Sequence, residues 1–210
     1  MKDDAAPPYR IAVLLSGTGR TLANLIERRS DTACPERIVR VISSRHGVRG
    51  IDIARGNDIP VEVIPRRSFQ DVNTFSDAIT ARLDADAPDL VVMAGFMCFY
   101  AVPDRWVGRI INIHPSLLPL FGGKGYYGHR VHEAVIASGM RVSGCTVHFV
   151  DNEYDHGPIL VQRACPVMPH DDAHALAARV FEQECRALPD AIDCLRDGRA
   201  RFADGRVIWV

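Results

Sequence analysis

The sequence predicts an α/β fold, a mostly parallel, twisted sheet with helices on both faces and antiparallel strands toward the C-terminus. Three observations carry this. Tyr9 to Leu15 is a continuous apolar run that passes directly into the glycine-rich turn Ser16-Gly-Thr-Gly-Arg-Thr21, as expected of a strand buried on both faces. Strand-like and helix-like segments then alternate as far as Met93, and repeated units of this kind build parallel sheets through right-handed crossovers. Val142 to Val150 and Ile159 to Val167 are joined by a link short enough to make that pair antiparallel.

Taken in order, residues 1 to 8 read as a disordered lead, and residues 9 to 210 as one domain. After the first strand, Thr18 or Thr21 is placed to cap a helix whose apolar stripe is Leu22, Leu25 and Ile26. A strand from Ile38 to Ile42, a short helix near Val48 to Arg55 and a strand from Val61 to Ile64 follow. A helix with Val72, Phe75, Ile79 and Leu83 on one face precedes the strand Leu90 to Met93. Arg109 to Ile113 is β-branched and reads as the next strand, and Phe121 to Gly128 is too rich in glycine to be regular. The spacing then predicts a helix from His129 to Ala137. A long helix over Asp171 to Leu195 carries Leu176, Val180, Leu188, Ile192 and Leu195 inward, and a terminal hairpin turns at Asp204-Gly205.

Bulk composition excludes several classes of function. The chain has 210 residues, 47% of them hydrophobic, with a formal net charge of -1, which gives no electrostatic argument for nucleic acid or an acidic membrane. No apolar run reaches the roughly 18 residues needed to span a bilayer, and the start lacks the apolar region of a secretion signal. Six cysteines without a C-x-x-C spacing read as reduced packing residues in a cytoplasmic protein.

The most constrained stretch is Ile110-Ile-Asn-Ile-His-Pro-Ser-Leu-Leu-Pro119. Strand alternation puts Asn112 and His114 on the same face, while Pro115 and Pro119 force the chain out of regular structure. An amide beside an imidazole can stabilise and protonate an oxyanion; the alternative is a turn asparagine and a core histidine. The turn Gly17-Thr-Gly-Arg-Thr21 can cradle a phosphate at a helix N-terminus, or be a tight turn only. Leu22 stands where a dinucleotide fingerprint needs its third glycine. Asp155, with His156 before Gly157-Pro158, can orient an imidazole or a water or serve as a turn aspartate. His129-x-x-His132 and His170-x-x-x-His174 have helical spacing but no third ligand at a suggestive position, so no metal is expected. Ala94-Gly-Phe-Met-Cys-Phe-Tyr100 can line a flat apolar slot or plug the core.

Ser-Gly-x-Gly after the first strand, Ala-Gly-Phe-Met, Asn-Ile-His-Pro-Ser-Leu-Leu-Pro, Thr-Val-His-Phe-Val and Asp-x-Gly-Pro occur here in one order. In this combination the chain resembles the phosphoribosylglycinamide formyltransferases, within the wider formyltetrahydrofolate-using family, from about Tyr9 to Asp204. The resemblance implies a Rossmann-like formyltransferase fold and transfer of a formyl group from 10-formyltetrahydrofolate, the cosubstrate, to the amine of glycinamide ribonucleotide in purine biosynthesis. Its partners would be small molecules, with the enzyme a monomer or homodimer. By position it implies Asn112, His114 and Asp155 as the catalytic trio. Gly17, Gly19, Arg20, Thr21 and Leu22 fall on the phosphate loop, with Glu184 toward the ribose. Phe96, Met97, Cys98, Phe99, Tyr100, Asn112, Asp151 and Asp155 fall on the folate walls, and His148 is in support.

Three departures from the family pattern stand out. Arg20-Thr21 replaces the common Ser-Asn, Val72 and Cys98 stand where arginines often meet the folate tail, with Arg66 and Arg67 nearby, and Gly123-Lys-Gly-Tyr-Tyr-Gly128 is an insertion. Formyltransferases for amino sugar nucleotides, or a noncatalytic folate or nucleotide sensor of the same fold, remain as alternatives.

Overall fold

A computed structural model describes residues 7–28 and 35–210, so most of the lead expected at residues 1 to 8, and Cys34, lie outside the described residues. Seven strands form one sheet: β1 (Tyr9–Leu15), β2 (Glu36–Ser43), β3 (Val61–Val63), β4 (Leu90–Met93), β5 (Ile110–His114), β6 (Val142–Phe149) and β7 (Ile159–Pro166). Their spatial order is β3-β2-β1-β4-β5-β6-β7. The first five pair in parallel, whereas β6 is antiparallel to β5 and β7 to β6.

Period-2 alternation in the central strands supplies two cores. Ile11, Val13 and Leu15 of β1 face the same layer as Leu22 and Leu25 of α1 (Arg20–Arg28), Val135 of α4 (His129–Ala137) and Leu176, Val180, Leu188 and Ile192 of α5 (Ala173–Arg196). Ala12 and Leu14 face the opposite layer, against Phe75, Ile79 and Leu83 of α3 (Val72–Asp86). The short helix α2 (Arg49–Arg55) packs beside α1, where Gly19 and Gly50 approach so closely that a Cβ on Gly19 would lie 2.6 Å from Gly50 Cα. Asp71 and Asp172 accept hydrogen bonds from the Thr74 and Ala175 amides, capping α3 and α5.

Neither Thr18 nor Thr21 caps α1. The helix starts at Arg20, directly after Gly19 with φ of 73°, and Ala23 N donates to Gly19 O; the glycine turn itself delivers the chain into the helix. β5 also runs one residue further than expected, so His114 belongs to the strand.

β1 has β2 on one side and β4 on the other, so the strand order reverses between β1 and β4, the place where open α/β sheets bind ligands beyond the carboxyl ends of their strands. Ser16 N donates to Gly95 O there, and Ser16 Oγ accepts from Met97 N at 2.8 Å. The hairpin of β8 (Ala200–Ala203) and β9 (Arg206–Trp209) docks on the far side, with the Phe202 ring 5.3 Å from that of Phe149.

Candidate active site

Asn112 and His114 sit at the carboxyl end of β5 and point to one side of it, as period-2 geometry requires. What brings them together is Asp155. Its Oδ1 lies 3.4 Å from Asn112 Nδ2 and 3.4 Å from His114 Nδ1, while its Oδ2 accepts from Gly123 N at 2.9 Å. Asp155 adopts φ of 52°, a left-handed conformation that aspartate tolerates better than most residues. The next turn is fixed by Gly157, where a Cβ would lie 2.0 Å from Phe149 O.

Both histidines of the site have their rings set by carbonyl groups. His148 Nδ1 lies 2.8 Å from Phe149 O, so this nitrogen carries the proton and Nε2 is left as an acceptor. Asn112 Nδ2 is 3.1 Å from that Nε2. Burial holds the His148 pKa below the ordinary histidine value, partly countered by the Phe149 carbonyl and the Asp155 charge, which favours the neutral acceptor form. His114 is different: Nε2 lies 2.8 Å from Phe121 O and Nδ1 faces Asp155. Both of its ring nitrogens face oxygen acceptors, so a doubly protonated ring would donate to both. The group as a whole offers an amide donor, an imidazole and a carboxylate around one volume, the equipment for stabilising an oxyanion and moving a proton.

The segment after β5 is held from below. Thr146 Oγ1 donates to Ser116 O and accepts from Leu118 N, and Gln162 Nε2 donates to Thr146 Oγ1 and Leu118 O. Gln162 belongs to no motif of the sequence, and Thr146 enters only as the first residue of Thr-Val-His-Phe-Val. Their side chains project from β6 and β7, and only the strand register brings them under residues 116 to 118.

Beside the trio lies an apolar slot of about 60 Å³ lined by Met93, Phe96, Cys98, Phe99, Tyr100, Val150, Glu153 and Tyr154, with Asn112, His148, Asp151 and Asp155 at its polar end. Aromatic faces with carboxylates at one end suit a flat heteroaromatic ring carrying N–H donors, so the donor set fits a pterin. The Phe99 and Tyr154 rings of the slot lining meet edge to face at 5.0 Å. Two of the expected wall residues take different places around the slot. Tyr100 is 2% exposed and turns its hydroxyl to Thr80, which places its ring in the floor. Met97 is 43% exposed and lies outside the slot lining, and its amide donates to Ser16 Oγ. Arg66, near Phe69 and Phe75, gives its guanidinium to the Phe69 carbonyl.

At the glycine turn, the N-terminus of α1 presents amides that have no helical partner. Leu22 is fully buried, so its side chain belongs to the core and only its backbone can reach a ligand there. Arg20 stacks over the Phe181 ring at 3.8 Å. Glu184 is close enough for its charge to be felt: burial pushes its carboxyl up to about 7, and the Arg20 guanidinium pulls it back down. Histidines of α4 and α5 lie close together. The His129 and His174 rings lie 4.3 Å apart, and among the described residues no group of three or more His, Cys, Asp or Glu is placed to hold a metal ion.

With this geometry in view, residues 9–192 match the family model described as formyl transferase. The chain belongs to the formyl transferase family. A phosphoribosylglycinamide formyltransferase of Haemophilus influenzae is 36% identical across 93% of this chain and 91% of its own length. The trifunctional purine biosynthetic protein adenosine-3 of Bos taurus is 39% identical across 96% of this chain, which spans only 20% of that relative. Among solved structures, glycinamide ribonucleotide transformylase 1 from Symbiobacterium toebii superposes with a TM-score of 0.89 at 34% identity, covering 98% of this chain and 96% of that one. A formyltetrahydrofolate deformylase from Pseudomonas syringae shares the fold, with a TM-score of 0.84 at 22% identity over 97% of this chain and 66% of its own. The trio, the slot and the glycine turn all lie within the matched span.

Proposed function

We propose that the chain transfers the formyl group of 10-formyltetrahydrofolate to the amine of glycinamide ribonucleotide, in the purine biosynthesis named by its relatives. The observation that carries the reading is the convergence of Asn112 and His114 on one carboxylate oxygen of Asp155, next to an apolar slot. The acceptor phosphate sits on the amides that open α1, and Glu184 faces its ribose. When the acceptor amine adds to the formyl carbon, Asn112 donates an N–H to the oxygen that becomes negative. A donor in such a place is worth about 3 to 4 kcal/mol. His114 stabilises the same charge and delivers a proton to the departing nitrogen, while Asp155 orients His114 and takes up the amine proton through water. The enzyme works on small molecules in the cytoplasm; no helix among the described residues is long and apolar enough to cross a membrane.

The test is to supply purified protein with 10-formyltetrahydrofolate and, in parallel, glycinamide ribonucleotide, a panel of amino sugar nucleotides, or water alone. Formylation of glycinamide ribonucleotide is expected. Product only from a sugar nucleotide would move the acceptor assignment, and release of free formate alone would make the chain a hydrolase.

A further inference from the structure

A second cavity lies apart from the slot beside the trio. It is an open groove of about 690 Å³ on the other side of the loop at residues 151 to 158, between that loop and the β8–β9 hairpin. Its walls are apolar: Val107, Val150, Ile159, Phe202 and Trp209. Several of these are far more exposed than a core would leave them, with Trp209 at 57%, Val107 at 41% and Ile159 at 40%. The volume is within the range of about 300 to 1,000 Å³ typical of small-molecule sites.

The charged groups at the groove are unequal in availability. Asp151 is committed to its own loop, since Oδ2 pairs with His156 Nδ1 at 2.8 Å and Oδ1 accepts from Glu153 N at 2.9 Å. That pairing also favours protonated His156. Arg206, by contrast, pairs with no carboxylate among the described residues. The groove therefore combines an aromatic and aliphatic wall with one uncommitted cation and one histidine that Asp151 supports as a second.

Asp151 and Val150 line both this groove and the slot beside the trio, so the two cavities share a wall. The loop that forms it carries Asp155, whose carboxylate meets Asn112 and His114.

We propose that this groove is a second ligand site, for a small amphipathic anion with a planar apolar body and one carboxylate or sulfonate-like group, and that its occupancy steadies the loop bearing Asp155. The apolar body lies against Trp209, Phe202 and Val107, and the anionic group lies between Arg206 and His156. Binding there restrains His156 and Asp151, and through them the turn that positions Asp155.

The site can be tested with 8-anilinonaphthalene-1-sulfonate as the probe, read by its own fluorescence and by quenching of Trp209 in a Trp106→Phe background. One probe per chain is expected, with folate at saturation leaving the binding intact. Arg206→Glu and Val107→Glu, both at exposed positions, should each weaken the probe roughly tenfold or more, with far-UV circular dichroism confirming that each variant is folded. Amide exchange across residues 151 to 157 should slow when the probe binds. None of these readouts depends on formyl transfer, so failure here is distinguishable from failure of the catalytic assignment. Displacement of the probe by folate, indifference to both substitutions, or no binding at all would overturn the site; binding without slower exchange at residues 151 to 157 would overturn its link to Asp155.

Discussion

His148 holds the amide of Asn112 in one of its two orientations. The two residues are direct cross-strand partners on β5 and β6, and the bare Nε2 of the histidine, 3.1 Å from Asn112 Nδ2, can only accept. The N–H side of the amide is thereby turned toward His148 and Asp155. His148→Ala should lower kcat about 10- to 100-fold with little change in either KM, since a donor displaced by an ångström or so loses effect of that order. The same change made on Asn112→Ala should cost almost nothing more. Additive losses in that double-mutant cycle would show that His148 acts independently of Asn112.

Asp155 can be tested without disturbing its loop. Asparagine accepts the left-handed conformation observed there and keeps the size of the side chain. Asp155→Asn should reduce turnover roughly 10²- to 10⁴-fold, the range for a positioned acid or base, with both ligands still bound by calorimetry. Parental turnover in this variant would reduce Asp155 to a turn residue.

Glu184 couples the acceptor side to pH. Its folded carboxyl titrates near 7, above its ordinary value of 4.5, because burial disfavours the charge. The folded state therefore holds this proton more tightly than the unfolded one. The resulting stability is fully present below pH 4.5 and is lost as pH rises through 7, by up to about 3 kcal/mol. Urea unfolding of the parent and of Glu184→Gln at pH 5 and pH 8 should show the variant gaining relative stability at the higher pH. A constant difference between the two proteins would remove Glu184 from the titration.

His132 has the opposite sign. It is 5% exposed, its Nδ1 has no hydrogen-bond partner among the described residues, and burial, with His129 and His114 adding to it, depresses its pKa to about 4. Its contribution is present above the ordinary value of 6.5 and is lost as pH falls from there toward 4, when the unfolded chain takes up a proton that the folded one refuses. His132→Phe should flatten this acid limb by up to about 3 kcal/mol. An unchanged limb in pH-dependent thermal melts would contradict the depressed pKa.

Much of the architecture could be read directly from local pattern. The run Tyr9 to Leu15 and the stripes of α3 and α5 declare their partners by period alone, and alternation in β5 is enough to place Asn112 beside His114. The rest depends on register or on contacts between distant segments. Asn112 meets His148 only because β6 pairs antiparallel without a slip at that position, and Thr146 reaches the Leu118 amide for the same reason. Arg20 stacks on Phe181, an aromatic ring 161 residues later that no local pattern pairs with it. Burial puts the Leu22 side chain in the core, while Tyr100 forms the floor of the slot, a distinction that motif position does not carry.

The backbone at Asp155 has a consequence for reading other sequences. A φ of 52° at a non-glycine residue favours a short list of occupants, chiefly glycine, asparagine and aspartate. Only the last carries charge, and asparagine lies one small chemical change away. A lineage that abandoned transfer chemistry but kept the fold could thus retire its carboxylate without rebuilding the loop, whereas a large or β-branched residue there would imply that the turn itself had changed. The residue at this position can therefore serve as a diagnostic, separating chains that have stopped reacting from chains that have been reshaped.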